Sequence, residues 1–266
     1  MNVLVFDIET IPDVENIRKI YDIPQLNDAD VVTTAQTLRR QEGAGSNFFP
    51  LHLHRIIAIA AVLQTSEDIK VWSLGNTNAT EKELIERFFS GIEKYMPTIV
   101  SWNGSGFDLP VLHYRALLHG VCASHYWETG DNETNFRYNN YLNRYHYRHM
   151  DLMDIFAAYQ GRANAPLNDI ALMLGFPGKM GIAGSDVWSY FQRGELETIR
   201  NYCETDVLNT YLIYLRFELI RGRISESNYK NQCLQLYNHL NSLEKLHLQE
   251  FIKAWNPSYH DNDTTF

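Results

Sequence analysis

The chain has 266 residues, 45% of them hydrophobic, which suffices for one large domain, with or without a helical extension, and falls far short of a polymerase. Its 32 acids against 23 lysines and arginines give a net charge of −9, which argues against a broad basic face and tight, salt-sensitive phosphate binding. Three cysteines, Cys122, Cys203 and Cys233, are odd in number and lack Cys-x-x-Cys spacing, so neither a disulfide framework nor a structural zinc site is expected. No long apolar stretch precedes Asp7, so we expect no signal peptide, no membrane span and a cytoplasmic location.

The first predicted strand is the apolar run Val3-Leu4-Val5-Phe6. Beyond it stand Asp7 and Glu9, which alternation places on one face while Ile8 turns to the other. Thr10 and Ile11-Pro12 end the run, which sets both acids at the carboxyl end of a first strand, where open α/β sheets commonly bind ligands. Two acids so placed call for a cation; the plain alternative is a solvated strand end. A helical excursion is expected over 13–40, closed by Gly43-Ala44-Gly45-Ser46, followed by strands at 55–63 and 69–74 around a turn at 64–68. His52 and His54, two apart, have no matching Cys or His nearby and read as structural. A helix over 80–95 carries Leu84, Ile85, Phe88, Phe89 and Ile92 on one face, and 98–102 is the next strand.

That strand leads into Asn103-Gly104-Ser105-Gly106-Phe107-Asp108-Leu109-Pro110, a glycine turn and then a helix with Asp108 as its N-cap and Pro110 in its first turn. An N-cap aspartate needs no further duty, and the glycines match neither the dinucleotide fingerprint nor the P-loop. The segment 135–148 is rich in tyrosine, asparagine and arginine. Its Arg144 and Tyr145, with Tyr138, Tyr141 and Tyr147, suit stacking of bases on rings and guanidinium planes, or equally a well-packed insertion or a partner surface. Lys179, after Gly178, is within reach of a phosphate or is an ordinary exposed lysine. A helix is expected over 194–217, where Tyr202 and Asp206, four apart, share one face. From 225 to 254 leucines recur in one or two helices, with Ser225 as cap and Asn256-Pro257 as the stop; the last ten residues are polar and read as frayed. This tail either packs on the domain or pairs two copies in a homo-oligomer.

Asp-x-Glu on a first strand, Asn-Gly-x-x-Phe-Asp near the middle and Tyr-x-x-x-Asp on a late helix together resemble the three exonuclease motifs of the DEDD superfamily, in its tyrosine-containing branch. The chain is similar to the proofreading exonuclease domain of B-family DNA polymerases and its stand-alone bacterial relatives. The likeness extends over 149–154, 167–171, 174–179 and 202–211. It implies a ribonuclease H-like α/β sheet flanked by helices over 1–217, with a C-terminal helical extension over 218–266.

The resemblance also implies a 3′–5′ exonuclease on single-stranded DNA using two divalent ions, Mg2+ or Mn2+. Asp7 would bridge both ions, Glu9 and Asp206 would complete the ion that activates water, and Asp108 would hold the second. Tyr202 would orient the water, and Asn103, Phe107, Arg144 and Tyr145 would contact substrate. Two other expectations stand beside it: an exoribonuclease on short RNA, and a nucleic-acid-binding or assembly module acting through its insertion and tail. Association with replication or repair proteins is left open.

Overall fold

β1 (Val3–Pro12) is the centre of the sheet because every second residue is buried against a different layer. Val3 and Val5 enter one apolar core, and Leu4, Phe6 and Ile8 enter another. The computed structural model describes residues 2–255. After β1 come α1 (Val14–Ile20), α2 (Asp28–Gln41), β2 (His54–Gln64), β3 (Ile69–Ser73), α3 (Glu81–Tyr95), β4 (Thr98–Ser101), α4 (Asp108–His119) and α5 (Ser124–Trp127). The second half holds β5 (His149–Asp151), α6 (Leu152–Phe156), α7 (Leu167–Met173), α8 (Val187–Gln192), α9 (Leu196–Ile220), α10 (Glu226–Ser242) and α11 (Leu246–Ala254).

The sheet order is β3-β2-β1-β4-β5, with β2 antiparallel to both its neighbours and β1, β4 and β5 parallel. This is the mixed, helix-flanked ribonuclease H-like sheet. On one face α9, α10 and α11 pack through Val207, Leu208, Leu212, Leu236, Leu248 and Trp255. On the other, α3 and α4 pack through Leu84, Phe88, Leu109 and Leu112. α3 is the most legible of these helices: Thr80 caps it, accepting from the Glu83 N–H at 3.3 Å, and its apolar residues recur at helical intervals. Among the described residues no helix is long and apolar enough to cross a membrane.

Four expectations need correction. β1 does not end near Phe6 but continues to Pro12, because β2 supplies pairing partners along its whole length, from Val3↔Gln64 to Pro12↔His54. The excursion over 13–40 is two helices, divided at residues 21–27, where Asp22 takes a φ of 52° and Pro24 breaks the helical ladder. Asp108 is not an N-cap: Phe107 holds that position and Asp108 is the first helical residue. β5 was missed, since three residues carry no periodicity. Ser225 does cap α10, accepting from the Asn228 N–H at 3.2 Å. The stop at Asn256-Pro257 and the frayed last ten residues lie outside the described residues.

Candidate active site

The parallel pairing of β1 with β4 covers only Val3–Val5, so beyond Val5 the β4 side of β1 is open. Asp7 and Glu9 lie just past that point, facing Ala60 and Ala58 of β2, whose small side chains leave room on the α9 face. A register shift between Glu9 and Thr10 bends the strand there. Asp108 arrives from the opposite layer at the start of α4, and its Oδ1 accepts the Ile8 N–H at 3.2 Å. The loop before it is braced by Asp151 at the end of β5, whose carboxylate accepts the Asn103 N–H at 2.9 Å and the Ser105 N–H at 2.8 Å. Asn103 has a φ of 67°, and a Cβ on Gly104 or Gly106 would collide with Ser101 or Asn103, so this tight turn needs its glycines.

α9 brings the third segment. Tyr202 and Asp206 are both buried, and the Tyr202 hydroxyl favours the charged form of the Asp206 carboxylate. Its Oδ1 is buried with no partner among the described residues. Four carboxylates from three distant segments thus meet, and their proton affinities record the crowding. Burial, then repulsion from Asp108, Glu9 and Asp206, pushes Asp7 well above the carboxylate range. Burial and then Asp206 do the same to Glu9. Burial raises Asp108 to about 7 and Asp206 to about 6. Burial, then the Asp206 charge, drives the Tyr202 phenol far above its usual range, so it stays protonated at neutral pH.

Two further groups belong to the cluster. Lys179 Nζ lies 5.6 Å from the centre of the Tyr202 ring, and its charge lowers both Glu9 and Asp206. It is set there by Asn209 of α9, which grips Gly178 at both its N–H (3.1 Å) and its carbonyl (2.8 Å). The thiol of Cys203 lies 3.4 Å from the Asp7 carbonyl and 3.4 Å from Asp7 Oδ2. One atom each from Asp7, Glu9 and Cys203 lies within 4.8 Å of the others, a spacing that could hold a metal ion. Sequence reasoning missed Cys203 and the bracing role of Asp151; the one available signal for Cys203 was its place beside Tyr202 on α9.

Of the predicted substrate contacts, Asn103 and Phe107 lie on the loop that delivers Asp108, and the Phe107 ring meets His54 edge-on at 5.3 Å. His54 is structural: Nδ1 is 2.9 Å from Thr10 Oγ1 and Nε2 is 3.1 Å from the Phe49 carbonyl oxygen. Arg144 and Tyr145 make their contacts elsewhere. Arg144 pairs with Asp154 at 2.8 Å and sits 4.8 Å over the Tyr159 ring, and Tyr145 meets Tyr159 edge-on at 5.0 Å. Asp154 follows β5, at the same end of the sheet as Asp7 and Glu9. Phe136 and Tyr141 of the insertion are buried, while Tyr138, Tyr145 and Tyr147 are exposed.

The sheet order and the acids gathered at its carboxyl end define the ribonuclease H-like class. A family model described as predicted 3′–5′ exonucleases related to the exonuclease domain of PolB matches residues 46–255, and the chain belongs to that family. It is 28% identical over 158 residues to a DNA polymerase of Archaeoglobus fulgidus, covering 58% of this chain and 19% of that protein. It is also 28% identical over 142 residues to the catalytic chain of DNA polymerase epsilon from Dictyostelium discoideum, covering 52% and 6%. The chain therefore spans less than a fifth of the length of these curated relatives. Among solved structures, the family B DNA polymerase of Pyrobaculum calidifontis aligns over 95% of this chain and 27% of its own, with 19% identity and a TM-score of 0.47. E. coli Exonuclease I in complex with an oligonucleotide aligns over 81% and 43%, with 15% identity and a TM-score of 0.31.

Proposed function

We propose that the chain is a metal-dependent 3′–5′ exonuclease that shortens single-stranded DNA from its 3′ end. The observation that carries this reading is the meeting of Asp7, Glu9, Asp108 and Asp206 at the open side of β1, with proton affinities raised by burial and mutual repulsion. Such a cluster is costly unless cations compensate it. The unpartnered Asp206 Oδ1 and the spacing of the Asp7 and Glu9 oxygens fit a divalent ion. Asp7, Glu9 and Asp206 would hold one ion, and Asp7 with Asp108 a second. Carboxylate oxygens suit Mg2+ or Mn2+. Bound there, two such ions supply activation of water and stabilisation of charge on the leaving 3′ oxygen.

The protein's own groups do the rest. The Tyr202 hydroxyl, held protonated, orients the attacking water and is unsuited to taking its proton. Lys179 offsets the charge of the phosphate that enters beside Tyr202. Asn103 and Phe107 flank the terminal nucleotide from the loop before α4, and the exposed ring of Tyr145 with Arg144 stacks an upstream base. In this reading residues 1–217 carry the chemistry and the extension from 218 onward braces α9, to which Lys245 and His247 are bonded through Glu204.

End-labelled single-stranded DNA and RNA incubated with Mn2+, or with excess chelator, test the proposal. The expected result is a ladder of DNA shortened from the 3′ end in Mn2+ and none in chelator. Cleavage of a circular strand would overturn the exonuclease assignment. A ladder on RNA alone would make the chain an exoribonuclease, and retarded bands without shortening would make it a binding module.

A further inference from the structure

Cys203 is the only thiol that the described residues bring to the carboxylate centre. Its Sγ stands 3.4 Å from Asp7 Oδ2, and one atom each from Asp7, Glu9 and Cys203 lies within 4.8 Å of the others. Asp206, buried at 6% exposure, lies outside that group of three, and its Oδ1 has no partner among the described residues. Zinc binds thiolate at about 2.3 Å and carboxylate oxygen at about 2.0–2.2 Å, so sulfur and oxygen around one ion stand roughly 3.5 Å apart. The Sγ–Oδ2 pair already has that separation.

We propose that Cys203, Asp7 and Glu9, with Asp206, form a mixed sulfur–oxygen site that captures a soft divalent cation, Zn2+ or Cd2+, in an inactive state. On capture the sulfur–metal bond forms as the S–H bond breaks, and the proton leaves to solvent, with no change of oxidation state. With Asp206 turned in as the fourth donor the tetrahedral shell would be closed, leaving no position for water or phosphate, and Asp7 would no longer be free to serve a second ion. Zn2+ binds such donors more tightly than Mn2+ at equal concentration, so the thiol makes the centre sensitive to trace zinc. This rests on the reading of the acids as a metal centre.

The test adds Cd2+ to the full chain in the absence of other metals and follows the ultraviolet thiolate-to-cadmium charge-transfer band. A stoichiometric band is expected in the wild type and not in Cys203→Ser, which keeps Cys122 and Cys233. No band, or an equal band in the variant, overturns the proposal. Zinc-edge X-ray absorption on the wild type needs no variant: a sulfur shell at about 2.3 Å is expected, and a shell of oxygen or nitrogen alone overturns it. In a Mn2+-supported cleavage assay, the Zn2+ concentration for half-inhibition is expected to rise about tenfold or more in Cys203→Ser. If Mn2+ neither supports hydrolysis nor raises the melting temperature, the metal-centre reading itself fails; if it does both and no sulfur shell forms, the thiolate site alone fails.

Discussion

Asp108 accepts the Ile8 N–H across the end of the sheet, and an asparagine in its place keeps an oxygen for that donor while shedding the charge. In metal-free protein, burial lifts the Asp108 carboxyl to about 7 from the 3.8 of an unperturbed aspartate. Between those values the folded state retains a proton that the unfolded state has released. Its stabilising contribution is therefore complete below pH of about 4 and is lost as pH rises to about 7. Asp206, raised to about 6 by burial, acts in the same sense. Burial holds His149 and His113 down at about 4, and they act in the opposite sense, but they cancel between two proteins that share them. In chelator, the melting temperature of Asp108→Asn minus that of wild type should rise from pH 4 to 7 and level off above, by about 2–4 °C per kcal/mol of relieved cost. A pH-independent difference would show that Asp108 bears no such strain. The variant should also gain less from added Mn2+. Tyr202→Phe removes only the hydroxyl, so kcat should fall on the order of a hundredfold while KM changes little; an unchanged kcat would make Tyr202 a packing residue. At this scale the sequence singled out the acids that the fold gathers, and not what holds them. The partner of Asp108 is a main-chain N–H of β1, 100 positions away, and a local reading could offer only a cap in its place.

α9 presents the Tyr202–Asp206 pair on one face and anchorage on another. Between Cys203 and Thr205, Glu204 points to the sheet edge, accepting from Ser73 N–H and Oγ at 2.9 Å each, from His247 Nε2 at 2.7 Å and from Lys245 Nζ at 3.2 Å. Burial alone would raise it, but the His247 and Lys245 interactions outweigh burial and hold it at about 2. Glu204 therefore contributes stability above about pH 4.5 that is lost as pH falls toward 2. Glu204→Gln should lower unfolding free energy at pH 7 by about 2–4 kcal/mol in denaturant melts, because it breaks a buried charged network. An unchanged midpoint would mean the extension merely leans on α9. The helical extension was legible because Ser225 is a cap and leucines recur, whereas its attachment to Glu204 was not, since neither Lys245 nor His247 carries a local signal of a partner 41 or 43 positions back. Likewise α3 was readable from Thr80 and its apolar stripe, while α5 to α8, at four to seven residues, are too short to show a period. The outer half of β1 resembled a turn because it holds acids and a proline, and only the pairing with β2 makes it strand.

At the scale of the molecule, α3 and α4 are tied to the outer end of β1 and to β2 by a buried ionic knot. Arg115 of α4 binds Asp13, just past β1, and reaches Glu81 at the start of α3 with Nε at 2.8 Å, while Glu81 also accepts the Ile56 N–H of β2 at 2.6 Å. This knot fixes the elements that present Asp7, Glu9 and Asp108. The net charge of −9 sets how the whole surface meets a polyanion. With Lys179 as the main phosphate partner, and Arg144 adding at most one contact beside the base it stacks, log KM for oligonucleotide against log salt should have a slope of only about 1 to 2, given roughly 0.7 per phosphate contact on a single strand. A much steeper slope would reveal a basic track beyond these two residues.

Cys203 touches Asp7 across 196 positions of chain, a separation that also governs how the protein is made. A ribosome adding about 5–20 residues per second releases β1 roughly 10–40 s before α9 emerges. During that interval the nascent chain carries Asp7 and Glu9 with no Asp206 to complete the cluster. On the proposed function, nucleic acid beside the nascent chain would meet no complete acidic cluster until α9 has emerged, and a product terminated before Asp206 would lack one of its four acids.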